Sequence, residues 1–146
     1  MADKLKLEII SQEKQLLSKE VDQIIAPAVE GEVAILPNHI PLFTKLNDGI
    51  VIIRSNNTEE EFAILGGFMD VGPSSRVTIL ADAAFISDDV NEAKAEQAKK
   101  AAEQALEQKQ SEVDFRQAEA SLRKAILEIK VARRRRRQKP NTSSSL

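Results

Sequence analysis

His39 is the only histidine of the 146-residue chain, and it is the side chain best suited to acid–base chemistry because imidazole titrates near neutral pH. It lies in the segment LPNHIPL, between Pro37 and Pro41. The chain has no cysteine, and no serine and acid pattern near His39 indicates a catalytic triad. We therefore interpret His39 as a partner contact or a loop hydrogen bond rather than as a catalytic base.

Three other patterns could carry chemistry, and each has a simpler structural interpretation. Glu59–Glu61 could bind a cation, but a charge run beside a turn is typical of a solvated face. The pattern at Asp88 and Asp89 favours residues that start a helix over acid–base catalysts. Gly66 and Gly67 are not followed by the Lys and Ser or Thr of a phosphate-binding loop, so they indicate a bulge. We expect no catalytic residue, no cofactor site and no metal site.

Five consecutive arginines, Arg133–Arg137, make the end of the chain strongly basic. The formal charge is −6 over residues 1–86, −4 over residues 87–119 and +8 over residues 120–146. Such a segment could bind nucleic acid phosphates, anionic lipid head groups or an acidic protein surface. The chain has no Trp or Tyr to stack bases and its first part is acidic, which disfavours a nucleic acid. Residues 133–146 have no apolar face, which predicts a flexible basic tail.

Residues before about position 87 have the pattern of short strands separated by turns. Leu5, Leu7 and Ile9 alternate with charged residues and should face a core. The predicted strands cover residues 4–9, 15–18, 21–26, 33–36, 42–46, 50–53, 62–64, 68–71 and 76–81. Short strands separated by turn residues, without a helical period, predict an antiparallel β-sandwich or flattened barrel over residues 1–86.

The segment from Gly31 to Gly49 is the part around which this first domain is arranged. A short strand ends at Pro37, and an apolar pattern resumes at Leu42. Pro37 and Pro41 fix φ and remove backbone donors, so the corner between them neither enters a helix nor pairs along a sheet. We expect a stiff, exposed corner that is suited to recognition by another protein.

After Ser87 the apolar period changes to that of helices. Asp89 with Glu92 forms a predicted capping box, and Ser111 with Asp114 offers a second helix start. The apolar stripes comprise Ala98, Ala101, Ala102, Ala105 and Leu106, and then Ala118, Leu122, Ala125, Ile126 and Ile129. We predict an antiparallel two-helix hairpin over residues 87–132, with one long bent helix as the alternative. An alanine methyl contributes only about 0.8 kcal/mol, against about 1.5–3 kcal/mol for Leu or Ile, so these helices should separate readily.

The sequence disfavours both secretion and membrane spanning. Its first residues, MADKLKLEII, contain no long apolar run, and no stretch reaches the roughly 18 apolar residues of a spanning helix. The lack of cysteine excludes disulfides and fits a reducing compartment or a bacterial interior. We expect a soluble protein that works at a membrane only through a partner.

Three stretches together resemble the epsilon subunit of rotary F-type ATP synthases. They are Glu-Gly-Glu at 30–32 with LPNHIPL at 36–42, LGGFMDVGPSSRVTILAD at 65–82, and the pair of alanine-rich helices. Asn38 stands where that family usually has Gly, and the resemblance covers about residues 4–132. It implies an α+β fold, an antiparallel β-sandwich followed by an antiparallel two-helix hairpin, in a non-catalytic regulatory subunit.

The resemblance also implies partners. In that family the sandwich docks on the gamma subunit and on the membrane rotor ring of c subunits. The helical hairpin, when extended, reaches the catalytic beta subunits and blocks ATP hydrolysis. The implied location is peripheral, on the cytoplasmic side of the bacterial plasma membrane or the equivalent face of an organelle, without membrane insertion and without nucleic acid.

Individual residues correspond to family positions that meet these partners. Ser11, His39 and Thr44 correspond to positions near gamma, and Glu32 to one that faces the rotor ring. The residues that correspond to the basic surface meeting a catalytic subunit are Arg123, Lys124 and Lys130.

Some members of the family bind ATP at the start of the first helix, through Ile or Leu, Asp, two variable residues, Arg and Ala. The matching residues run from Val90 to Ala95, with Asn91 instead of the carboxylate and Lys94 instead of the guanidinium fork. We therefore expect no bound ATP and no other cofactor. The alternative to a synthase subunit is a free-standing adaptor or nucleic-acid-binding protein that uses the basic end.

Overall fold

A computed structural model describes residues 3–108 and 111–138. The chain divides into two compact units between Ile86 and Ser87. Within the described residues the first unit contains ten strands, which are β1 Leu5–Ser11, β2 Gln15–Val21, β3 Gln23–Ala28, β4 Gly31–Ile35, β5 Leu42–Lys45, β6 Gly49–Ser55, β7 Thr58–Leu65, β8 Phe68–Val71, β9 Arg76–Ala81 and β10 Ala83–Ile86.

The ten strands form two five-stranded sheets. The first sheet has the order β2-β1-β9-β8-β5, and the second has the order β10-β7-β6-β3-β4. Side chains from both sheets form one apolar core, in which Leu5, Leu7 and Ile9 of β1 are fully buried. The predicted β-sandwich and the inward alternation of β1 are therefore confirmed.

One strand pair departs from the antiparallel arrangement. β1 and β9 run parallel, with Lys6 opposite Arg76 and Ser11 opposite Ala81. Parallel neighbours need a long connection, and here most of the sandwich lies between the two strands. Local patterns carry no trace of this pairing because the partners are about 70 residues apart.

Two strand predictions in this unit are wrong. The third strand does not end at Ala26 but continues through Pro27, which lies opposite Glu32 of β4. The pairing of β3 with β6 ends at Ile25, so the missing donor of Pro27 falls where that ladder has already stopped. The predicted last strand, β9, is followed by β10, which pairs antiparallel with β7.

Two turns of the sandwich contain residues that tolerate a positive φ. Asn56 and Asn57 have φ values of 50° and 65° and join β6 to β7, as a two-residue hairpin with a right-handed twist requires. Gly66 and Gly67 also have positive φ and form the bend between β7 and β8. The predicted bulge at Gly66 and Gly67 is thus a bend between two strands.

The second unit contains a 3-10 helix, Ser87–Asp89, followed by α1 Glu92–Glu107 and α2 Glu112–Gln138. The predicted cap at Asp89 is wrong, because the chain makes a 3-10 turn there and α1 begins later. Asn91 is the N-cap, and its Oδ1 accepts a hydrogen bond from the backbone N–H of Lys94 at 3.1 Å. Ser111 caps α2 as predicted, with Oγ 3.3 Å from the N–H of Asp114.

The two helices pack against each other, but the buried stripe of α1 is rotated from the predicted one. Ala95 and Ala102 are buried, whereas Ala98 and Ala101 are exposed. On α2, Ile126 is exposed, in contrast to its predicted place in the stripe. The buried residues of α2 are Ala118, Ala125, Leu127, Ile129, Val131 and Ala132.

The end of α2 also differs from the prediction. The sequence predicts a helix to residue 132 and then a flexible tail, but the helix continues through the arginine run to Gln138. Arginine is a good helix former, and three of the arginines have partners at the start of α1, described below. Residues 139–146, the rest of the predicted tail, lie outside the described residues.

Asp22, between β2 and β3, provides a pH-dependent tie in the first unit. The ammonium group of Lys4 and the backbone N–H of Asn56 donate to its carboxylate, and together they hold the pKa of Asp22 below its usual value of 3.8. A lowered pKa means that the tie contributes stability above the unfolded-state pKa and loses it as pH falls through the folded-state pKa.

We therefore expect Asp22→Asn to lower the urea midpoint of the sandwich at pH 7. The difference from the unmodified chain should shrink as the pH falls below the unfolded-state pKa and through the lowered folded-state pKa, because the wild-type carboxylate is then protonated as well. Urea titrations across the acidic range would measure it. A difference that did not shrink with falling pH would contradict the assignment.

Candidate partner-binding surface

The strand registers define two ends of the sandwich. The corner end carries residues 36–41, the β6–β7 turn and the β8–β9 turn, since Asn38 N–H donates to Ser75 Oγ at 2.8 Å and Lys4 Nζ donates to Asn56 Oδ1 at 3.1 Å. The opposite end carries the β1–β2, β3–β4 and β7–β8 turns. There the N–H of Leu46 donates to Gly67 O at 2.8 Å.

The corner is held by its own backbone and by neighbours at the same end. Asn38 has a φ of 67°, a left-handed conformation that Asn tolerates better than most residues. Its side-chain amide donates to the carboxylate of Asp3 at 3.0 Å. His39 is half-buried, and its Nδ1 lies 2.6 Å from Ile40 O, so this nitrogen carries the proton that is donated. Ile40 is 76% exposed, which confirms that the corner is presented outward.

The other candidate residues of the first unit are spread along its length. Ser11 lies at the opposite end, where its Oγ accepts from Glu13 N–H at 3.4 Å and from Lys14 N–H at 3.3 Å. Glu32 is exposed on the edge strand β4, near the same end. Thr44 is half-buried on the edge strand β5. The structure thus places Ser11 and His39 at opposite ends of the first sheet and does not bring them together.

A row of apolar side chains crosses the outer face of the first sheet. Phe43 is 67% exposed, Phe68 43% and Leu80 48%, and Ile10 is half-buried. Phe68 lies opposite Leu80, and Ile10 lies opposite Leu80 on its other side. The rings of Phe43 and Phe68 stack with centroids 5.5 Å apart and planes 15° apart. Contiguous exposed apolar side chains of this kind mark interaction surfaces, and we call these four residues the apolar row.

Sequence reasoning missed the apolar row, although a signal for it exists. In β8 and β9 the exposed Phe68 and Leu80 alternate with the buried Met69 and Ile79. A strand with apolar residues on both faces packs one face into the core, and its other face is suited to packing against a further element or partner.

In the second unit, the candidate residues Arg123, Lys124 and Lys130 are exposed on α2. Arg123 and Lys130 are seven residues apart and so share one helix face. Among residues 3–108 and 111–138, no cluster of three or more His, Asp or Glu side chains could hold a metal ion. No helix within those residues is long and apolar enough to cross a membrane.

Both units match known families along almost all of their described length. Residues 4–87 match the model of the ATP synthase delta/epsilon chain, beta-sandwich domain, and residues 88–133 match that of its long alpha-helix domain. The chain belongs to the ATP synthase delta/epsilon family. The predicted resemblance is therefore confirmed.

Individual relatives and solved structures agree with this family. The ATP synthase epsilon chain of Herpetosiphon aurantiacus is 49% identical over 98 residues, which is 67% of this chain and 71% of the relative. That of Pelotomaculum thermopropionicum is 40% identical over 103 residues, or 70% and 76% of the two chains. A chain of the Euglena gracilis mitochondrial ATP synthase superposes with a TM-score of 0.70 at 24% identity, over 91% of this chain and 82% of that one. One from the Tetrahymena thermophila mitochondrial ATP synthase gives 0.62 at 20% identity, over 88% and 96%. At these identities the two structures show the shared fold.

The residues that the resemblance aligns with an ATP-binding pattern have structural contacts in this chain. Asn91 caps α1 through its side-chain oxygen, and Glu92, the next residue, pairs with Arg133 and Arg136 of α2. Lys94 is exposed. The polar groups at the start of α1 therefore stabilise the helical unit itself.

Proposed function

We propose that this delta/epsilon-family chain is the non-catalytic epsilon subunit of a proton-translocating F-type ATP synthase. Its sandwich couples the gamma subunit to the membrane rotor ring of c subunits, and its two helices restrain ATP hydrolysis by reaching the catalytic beta subunits. It works at the cytoplasmic face of the bacterial plasma membrane, or the equivalent organelle face, as a peripheral subunit. The central-stalk and c-ring assemblies that contain its structural neighbours support this placement.

The apolar row is the observation that carries the gamma assignment. It crosses four of the five strands of the first sheet, and the corner with the exposed Ile40 leads into β5, the edge strand that carries Phe43. Ser11 and His39 lie at the two ends of that sheet, roughly 20 Å apart at about 3.3 Å per strand residue. A single partner that meets both must be elongated along the strands, as a rotating shaft is.

The opposite end suits the rotor ring. Glu32 is exposed there, and the neighbouring Glu30 adds a second exposed carboxylate. Two carboxylates at the tip of a sheet complement basic loops on a ring surface. The coupling role follows, because one rigid sandwich then holds the shaft with its face and the ring with its end.

The helical unit suits restraint of hydrolysis. Arg123, Lys124 and Lys130 are exposed on α2, and an acidic surface on a catalytic subunit would attract them. Each exposed ion pair contributes only about 0–1 kcal/mol and is screened by salt, so the inhibited state is reversible. The alanine-lined contact between the helices allows α2 to leave α1.

Deleting residues 88–146 tests this function in the assembled synthase. We expect the truncated chain to join the complex and to support ATP synthesis, while ATP hydrolysis rises severalfold because the restraining helices are gone. Hydrolysis by purified complexes, with and without a proton gradient, measures this. If the full-length chain acted as a free-standing adaptor or nucleic-acid-binding protein, the deletion would leave the synthase unchanged and abolish the other interaction.

A further inference from the structure

The arginine run at the end of α2 contacts the start of α1. Arg135 is half-buried, and its guanidinium donates from Nη1 to the carbonyl oxygen of Ser87 and from Nη2 to that of Val90, both at 2.9 Å. Both acceptor residues are buried. Two nitrogens of one planar group therefore bind the carbonyl oxygens of the first residue of the 3-10 helix and of the residue that follows this helix. A lysine cannot reproduce this geometry.

Two further arginines flank this contact. Arg133 Nε lies 3.3 Å from Glu92 Oε1, and its Nη2 lies 3.6 Å from Glu96 Oε1. Arg136 Nη1 lies 3.1 Å from Glu92 Oε2. Glu92 thus uses both carboxylate oxygens on α2, and its side chain is only 24% exposed.

We propose that Arg133, Arg135 and Arg136 form a clasp that keeps the two helices together and sets how often they separate. The helix contact beside the clasp includes the small side chains Ala95 and Ala102, which bury little area. Charge-assisted hydrogen bonds to buried carbonyls are stronger than neutral ones. The arginine run therefore stabilises the packing of α2 against α1 and is not a solvated extension of the helix.

The clasp has two parts that respond differently to the solution. The ion pairs to Glu92 and Glu96 are partly exposed and weaken with ionic strength. The bonds from Arg135 end on backbone carbonyls and are less sensitive to salt. Added salt should therefore loosen the helical unit without releasing it completely.

Hydrogen exchange of the full-length chain tests the clasp directly. Arg135→Lys removes one of the two carbonyl bonds and should raise the exchange rate of the α1 amides, residues 93–107, by about tenfold at low salt, since a hydrogen bond from a charged group is lost. Arg137→Lys, on the same turn of α2 and exposed, is the matched control and should leave the rate unchanged. Equal rates for the two variants would overturn the clasp.

Reversing the charges of the ion pairs provides a second, independent test of the clasp. Glu92→Arg places a like charge against Arg133 and Arg136 and should speed exchange in α1. The fourfold change of Glu92→Arg, Glu96→Arg, Arg133→Glu and Arg136→Glu should restore slow exchange, because all three pairs are then re-formed with reversed sign. A fourfold variant that exchanged as fast as the single variant would show that these pairs do not hold the helices.

The consequence for hydrolysis rests on the proposed function. If separated helices restrain hydrolysis, Arg135→Lys should make the assembled synthase hydrolyse ATP more slowly, the opposite of the effect of deleting the helices. Faster exchange with unchanged hydrolysis would retain the clasp and contradict the proposed restraint. The two ideas can therefore fail separately.

Discussion

Replacing Gly67 by alanine should lower the free energy of unfolding of the sandwich by about 2–6 kcal/mol, from overpacking and backbone strain together. Gly67 has a φ of +119°, which side-chain-bearing residues rarely adopt. A Cβ there would lie 2.1 Å from Leu80 O and 2.8 Å from Ala81 Cα. Both are backbone atoms of β9, so relief would require β8 and β9 to move apart.

Gly72 provides the matched control for this change. It lies in the β8–β9 turn, and the nearest atom to an added Cβ is Arg76 O at 3.8 Å, an ordinary contact. Gly72→Ala should therefore stay within about 1 kcal/mol of the unmodified chain. Urea unfolding of the full-length chain, followed by hydrogen exchange in β8 and β9, would measure both. Equal stability of the two variants would mean that the backbone of β9 shifts at Leu80 at little cost in free energy, which would contradict the prediction.

The sandwich was largely predictable because its signals are local. Local structure is indicated within a few residues by the alternation in β1, the apolar run of β6 and the paired asparagines of the β6–β7 turn. The same holds for the exposed corner, where two prolines exclude both a helix and a ladder. The cap of α2 at Ser111 belongs to this class as well.

Three of the mistaken predictions depend on contacts distant in sequence. β10 forms because β7 offers it an edge. Pro27 remains in a strand because the pairing of β3 with β6 has ended before it, and its carbonyl accepts a hydrogen bond from the N–H of Asn47. The arginine run looks like a solvated tail in isolation. The run continues α2 because its side chains donate hydrogen bonds to the carboxylate of Glu92 and to two backbone carbonyls, all more than 40 residues away.

For the candidate contact residues, too, the sequence indicates the residues themselves but not their spatial arrangement. The resemblance supplied Ser11, Glu32, His39 and Thr44 by position, but it gave no distances between them. Only the strand registers show that Ser11 and His39 lie at opposite ends of the sheet, which supports the proposal of an elongated partner. The apolar row, which no single motif contains, depends on three strand pairings at once.

Changing Phe43 and Phe68 together to aspartate should weaken binding of the gamma subunit at least about 100-fold. Buried aromatic anchors typically cost 2 kcal/mol or more each when removed from an interface, and the new carboxylates would have to lose their hydration on docking. Because both rings are substantially exposed in the chain, the free energy of unfolding should change by only about 1 kcal/mol. Titration of purified gamma with each full-length variant measures the affinity.

Ile86→Asp is the matched control for that loss. Ile86 is 49% exposed, as an apolar residue on the outer edge strand of the second sheet, so it tests the same chemistry away from the apolar row. Its affinity for gamma should remain within a few fold of the unmodified chain. If the control weakened binding as much as the double variant, the docking face would be the second sheet. If neither weakened it, the apolar row would not be the docking face for gamma.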